Sequence, residues 1–269
     1  MSNNKRILYI SQEITPYLKP TPLGQLCQTL PAKVQEHGFE VRTFMPKYGC
    51  INERRNQLHE VIRLSGINIV IDDTDHPLII KVATLQASRM QVYFIDNDEY
   101  FQHHAVTDLE IRETPAENDE RLIFFTRGVM ETVRKLRWEP VAIHASGWIT
   151  ALAPLYLRKQ YAEDPTIGKS KLVYSIFDDR FEDTLDPRFT EKLLMDGIDA
   201  KDIEILGNGP VDWLTLNKLA IAHSDGVIQA SAEVPAELID FANSLGKPIL
   251  PYQGETPDAQ ALADFYQNV

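Results

Sequence analysis

Short apolar runs rich in β-branched residues alternate with longer amphipathic stretches along this chain. Arg6–Ser11 precedes Leu23–His37, Val141–Ala145 precedes Thr150–Tyr161, and Gly226–Gln229 precedes Ser231–Leu245, with Lys171–Ile176 a further run of the first kind. Runs that stay apolar belong to strands buried on both faces. With helices between them they specify an α/β fold built on a mostly parallel sheet. Between Glu60 and Ile95 the texture changes to strand-like runs at Val61–Leu64, Ile67–Ile71, Leu78–Leu85 and Met90–Ile95, with Asp72–Pro77 as a turn. This stretch predicts an antiparallel hairpin or meander inserted in the α/β domain. Asn118–Leu136 carries Leu122, Phe125, Val129, Val133 and Leu136 at helical spacing and predicts a long core-facing helix. Near the end, Pro248–Pro251 reads as a strand. Thr256-Pro257-Asp258-Ala259 reads as an N-cap followed by proline in the first helical position, opening a last helix through Phe265 and Tyr266.

With 269 residues and 43% hydrophobic composition, the chain can bury one large core, and residues 1–269 read as a single domain. A net charge of −12 gives no electrostatic footing to nucleic acid or an anionic membrane. The first apolar run is interrupted by Glu13 and Pro16, unlike a signal peptide, and no apolar run reaches membrane-spanning length, so a cytoplasmic location is expected. Cys27 and Cys50 lack metal or disulfide-framework spacing and read as ordinary thiols. Adjacent His103 and His104 would point apart in any regular element, so no metal site is expected.

Loops that follow parallel strands face one sheet edge, where ligands of doubly wound folds bind. Glu13–Lys19, His144–Gly147, Asp178-Asp179 and Ser231–Glu233 should converge there. The loop Lys19-Pro20-Thr21-Pro22-Leu23-Gly24 is placed to hold a phosphate but lacks the glycines that bring backbone N–H groups close to one. Pro22 has no N–H, and Thr21 resists positive φ. Gly207-Asn208-Gly209 reads as a helix stop and turn before Val211-Asp212-Trp213, not as a nucleotide fingerprint.

Several segments taken in order resemble one enzyme family. Ile7-Leu8-Tyr9-Ile10-Ser11-Gln12-Glu13-Ile14-Thr15-Pro16-Tyr17, followed by Lys19 and Leu23-Gly24, is similar to the opening of bacterial glycogen and plant starch synthases, whose loop reads Lys-Thr-Gly-Gly-Leu-Gly. Phe39–Arg42, Met45–Gly49, Val92–Asn97, Tyr100-Phe101 and Asn118–Arg121 follow the same family. The stretch from His144 to Leu157 resembles its His-Ala-His-Asp-Trp-His segment and the helix after it. The resemblance implies a single Rossmann-like lobe, half of a GT-B glycosyltransferase, since it covers only the first of the family's two lobes. It also implies ADP-glucose as a possible donor substrate with no other cofactor.

By the same resemblance, Lys19 and Gly24 occupy donor-loop positions, His144 lies beside the transferred glucose, and Glu117 aligns with a family aspartate near the sugar. Each has a plainer reading from the residues: a solvated lysine, a hydrogen-bonded histidine at a strand end, and a helix-capping acid. Ser146, Gly147 and Ile149 replace ionisable groups of the family segment. Ile176-Phe177-Asp178-Asp179 stands where the family has Ile-His-Asn, and the acidic pair would repel a diphosphate unless a cation intervened.

A lobe of this kind would be catalytically impaired alone, acting by binding glucan or maltooligosaccharide or as a partner subunit. The alternative is an active ADP-glucose-dependent glucosyltransferase completed by another chain. A third reading is a structural domain with no carbohydrate role. The last helix reads as the natural end of the chain. An edge lined by Tyr17, Leu18, Pro20, Pro22, Trp148 and Phe177 is expected to be exposed and covered by glucan, a partner chain or a second copy in a homodimer. The other possibility is that Trp148 is buried beneath its own loop.

Overall fold

A computed structural model describes residues 5–86, 88–102 and 118–269. The elements in chain order begin β1 (Arg6–Ser11), α1 (Pro22–Glu36), β2 (Glu40–Pro46), α2 (Glu53–Asn56), β3 (His59–Glu60), β4 (Ile67–Ile71), β5 (Thr74–Leu85) and β6 (Met90–Asp96). A turn of π-helix (Asp98–Gln102) follows, then α3 (Asn118–Leu136), β7 (Ala142–Ser146), a 3-10 turn (Trp148–Thr150), α4 (Ala153–Lys159), β8 (Lys171–Ile176) and α5 (Phe189–Met195). The chain closes with α6 (Trp213–His223), β9 (Gly226–Gln229), α7 (Ala236–Ser244), β10 (Ile249–Leu250) and α8 (Ala259–Asn268). Glu117, His103 and His104 lie outside the described residues.

The strands lie in the order β10-β9-β8-β7-β1-β2-β6-β5-β3, with β4 paired to β5. Every pairing from β10 to β6 is parallel, and those of β5 with β6, β3 and β4 are antiparallel. β1 is the centre, aligned through Ile7 with Val41 on one side and Ala142 on the other. From β1 the chain builds toward β2 and β6, then returns to build toward β7 and beyond. The switch point therefore falls between the loops after β1 and β7. Ile7, Leu8, Tyr9 and Ile10 are at most 1% exposed, which is why these strands read as continuous apolar runs.

The antiparallel excursion is present, but its turn is tighter than the sequence predicts. Only Asp72 and Asp73 take positive φ (49° and 60°), the pair of left-handed residues that suits a twisted hairpin, and Thr74–Pro77 already belong to β5. Helix starts also shift. α1 opens at Pro22 with Thr21 as its cap, and α8 opens at Ala259 with Asp258, not Thr256, as its cap. α4 and α7 are shorter than their amphipathic stretches because the 3-10 turn at Trp148 and an irregular segment through Pro235 precede them. No helix among the described residues is long and apolar enough to cross a membrane.

Candidate site at the switch point

The backbone of β1 stays joined to β7 for one residue past the strand, Gln12 N donating to Ser146 O at 3.0 Å, and then the two chains part. At the parting, Gly147 takes φ 87°, and a Cβ there would stand 2.9 Å from Gln12 and 3.0 Å from Asp179 Oδ2. Glycine is needed on both counts: the backbone is left-handed and two side chains press on it. The 3-10 turn that follows exposes free N–H groups at its start, as any helix does. Here the chain satisfies them itself. Trp148 N donates to Asp179 Oδ2 at 2.9 Å and Ile149 N donates to Gln12 Oε1 at 3.3 Å. The other carboxylate oxygen of Asp179 accepts from Trp213 Nε1 at 3.2 Å.

The entrance of α1 is closed in the same manner. Pro22 sits in the first turn, where a missing N–H costs nothing, and Thr21 Oγ1 accepts from Gly24 N at 2.9 Å. The Thr21 hydroxyl in turn donates to the carboxylate of fully buried Glu13. Gly24 O accepts from Thr15 N at 3.0 Å, and a Cβ on Gly24 would press to 3.2 Å from Thr15 Oγ1 and Thr21 Oγ1. Both helix entrances that face this edge thus have an acidic side chain of the same chain behind their N–H groups. Lys19, Pro20 and Pro22 remain exposed on the rim.

The aromatic edge expected from the sequence is not exposed. Tyr17 and Leu18 are 8% accessible, Phe177 4% and Trp148 0%. Trp148 packs edge-on against Phe181 at 5.0 Å, and Tyr17 edge-on against Phe94 at 4.9 Å. Their partners are far off in sequence, so the loops fold their apolar side chains inward and leave prolines and Lys19 outside.

His144 lies within β7, buried, with both ring nitrogens engaged: Nδ1 2.6 Å from Tyr266 Oη and Nε2 2.6 Å from Ser175 Oγ. Tyr9 Oη is 2.9 Å from Tyr266 Oη, which completes a buried chain of hydroxyls and imidazole. Burial lowers the His144 pKa to about 3, because the imidazolium would lose its hydration. Burial likewise pushes the nearby Cys27 thiol up to about 12. The sequence pattern did not single out Ser175 or Tyr266 as partners of His144, nor Glu13 as the group behind the α1 cap. The Thr21-Pro22 pair was the available signal, a capping residue followed by proline at the first helical position. No group of three or more His, Cys, Asp or Glu among the described residues is placed to hold a metal ion.

Residues 6–247 match the model of the starch synthase catalytic domain. The chain belongs to this family. Glycogen synthase of Chlorobaculum parvum is 35% identical over 213 residues, 77% of this chain and 44% of its own length. That of Chlorobaculum tepidum is 33% identical over 247 residues, 88% of this chain and 48% of its own. The chain spans less than half the length of these relatives. The structure of the catalytic domain of starch synthase IV from Arabidopsis thaliana, bound to ADP and acarbose, is similar at a TM-score of 0.73 and 18% identity, over 93% of this chain and 51% of that one. The fold is therefore one lobe of the GT-B glycosyltransferase architecture of starch synthases. β10 and α8, with Tyr266, lie beyond the segment that the family model matches.

Proposed function

We infer that this starch synthase-type lobe serves glycogen or starch metabolism by holding glucan, with little or no glucosyl transfer of its own. One observation carries the reading: the N–H groups at the switch point, where a donor diphosphate would be cradled, are already answered by Thr21 backed by Glu13 and by Asp179. A second anion brought to these positions meets a carboxylate, and like charges repel in a site shielded from water. Losing even one donor to a developing negative charge removes about 3 kcal/mol of transition-state stabilisation. The hydrogen bonds on both nitrogens of His144 support the same reading. The net charge of −12 supports a protein that avoids nucleic acid and anionic membranes, and a cytoplasmic location is part of this proposal.

The exposed position of Lys19 favours a second reading, in which another chain supplies the second lobe and Lys19 and His144 then act in the ADP-glucose donor site. Two measurements separate the readings. Calorimetric titration should give binding heat with maltoheptaose and none with ADP-glucose, and labelled ADP-glucose should pass no glucose to glycogen above background. Transfer that appears only when a chain carrying the second lobe is added, and is lost in Lys19→Ala and His144→Ala, would replace the first reading by the second. Light scattering with and without maltoheptaose tells whether a homodimer or the sugar covers the rim.

A further inference from the structure

The geometry points to α8 as an internal clasp that closes the sheet face around His144, and to that face as a glucan-binding surface when the clasp is released. The glucan part rests on the reading of function given above. Three observations carry the inference. First, α8 lies outside the family-model match, and its Tyr266 hydroxyl reaches both His144 Nδ1 (2.6 Å) and Tyr9 Oη (2.9 Å). Second, the helix is held by Ala259, Leu262, Ala263 and Tyr266, with Phe265 and Val269 packed beside them. A helix of this length does not hold its shape without docking, so its opening is a local event rather than an unfolding of the sheet. Its tether, residues 251–258, has no helix or strand and contains Gly254 at φ 88°, where the chain can turn.

Third, the closure is imperfect. A cavity of about 20 Å³, enough for one water, remains between His144, Ser175, Gln229, Tyr252, Leu26 and Leu262. Lifting α8 would join this space to the faces of Tyr9 and His144. The groups left on the sheet are the Tyr9 ring, flanked by an imidazole, a serine hydroxyl and a glutamine amide. Rings stack on the apolar face of a pyranose, and the polar groups answer its hydroxyls. The chain also provides a seat for the clasp at Gly226: a Cβ there would stand 2.7 Å from Val269 Cγ1 and 3.0 Å from Phe265 Cζ, both on α8 or its end. The φ of Gly226 is not in the left-handed region, so the β9 backbone accepts a side chain, and the three atoms nearest to its Cβ belong to α8 or its end.

Gly226→Val and, separately, Tyr266→Ala in the full chain test the inference, with far-UV circular dichroism reporting the sheet. In the unaltered protein His144 should resist carbethoxylation by diethyl pyrocarbonate while exposed His37 and His59 react. In either variant His144 modification, amide exchange over α8 and maltoheptaose affinity should each rise by about tenfold or more, with exchange in β1 and β7 unchanged. Three results overturn the inference: folded variants in which His144 stays protected, α8 amides that exchange as slowly as those of β7 in the unaltered chain, or an opened face with no gain in sugar affinity. Sugar binding by the unaltered chain without gain in the variants defeats the clasp alone. No binding by any of them defeats the glucan reading as well.

Discussion

At the residue scale, two acids stand behind the donors of the switch point. Glu13 and Asp179 are buried and sit where incoming negative charge would be drawn, so the same N–H groups that bind phosphate elsewhere here close the fold. His144 is the residue with the clearest thermodynamic signature. Its ordinary pKa of 6.5 falls to about 3 on burial, so between those values the unfolded chain binds a proton that the folded chain refuses. The contribution to stability is complete above pH 6.5 and is lost progressively as pH falls toward 3. Urea unfolding at pH 7.5 and pH 5 should show a loss of about 2 kcal/mol more in the unaltered protein than in His144→Gln. Equal losses in the two proteins would mean that His144 is accessible to protons in the native state.

At the element scale, the long helix α3 meets the excursion strands through Gly128. A Cβ there would lie 2.9 Å from Ile95 Cγ2 and 3.1 Å from Leu78 Cδ1, and both neighbours are fully buried. Alanine in a helix interior ordinarily gains about 1 kcal/mol over glycine, but overpacking a closed core costs about 1 to 3. The packing term wins because neither a β-branched isoleucine nor a buried leucine has room to withdraw. Gly128→Ala should therefore be less stable by about 1 kcal/mol, measured as a lower urea midpoint with unchanged slope. A stabilised variant would show that α3 can move off the sheet. The amphipathic stripe of α3 was legible because its period matched the helix. The seat of Gly128 was not, since the atoms it meets come from β5 and β6.

At the scale of the whole molecule, the buried apolar residues among those described form one continuous cluster running from β1 through α8. Trp138, Trp148 and Trp213 are each at most 4% exposed; Trp138 bonds Glu40 of β2, whereas Trp148 follows β7 and Trp213 bonds Asp179 beyond β8, on the other side of β1. Tryptophan fluorescence and far-UV circular dichroism should then follow a single coincident urea transition. Separate midpoints would divide the chain into independently stable parts. The parallel sheet and the antiparallel excursion were both readable, because strands buried on two faces stay apolar while the half-exposed strands of a hairpin alternate. The aromatic rim was misread for a physical reason. A loop sequence gives hydrophobicity but not direction, and Tyr17 and Trp148 turn inward to meet Phe94 and Phe181.

The sequence by itself determined the alternation of elements, the family, the edge at which the loops meet and the positions of Lys19, Gly24 and His144 on or beside it. These follow from local pattern and from the rule that parallel strands send their following loops to one side. Only the tertiary structure decided which groups at that edge are spent on one another. Asp179 reaches Trp148 N from the loop after the next strand, and Tyr266 reaches His144 across 122 residues of chain. Hydrogen bonds of that range depend on the close packing of separate elements, and no periodicity in a sequence encodes them.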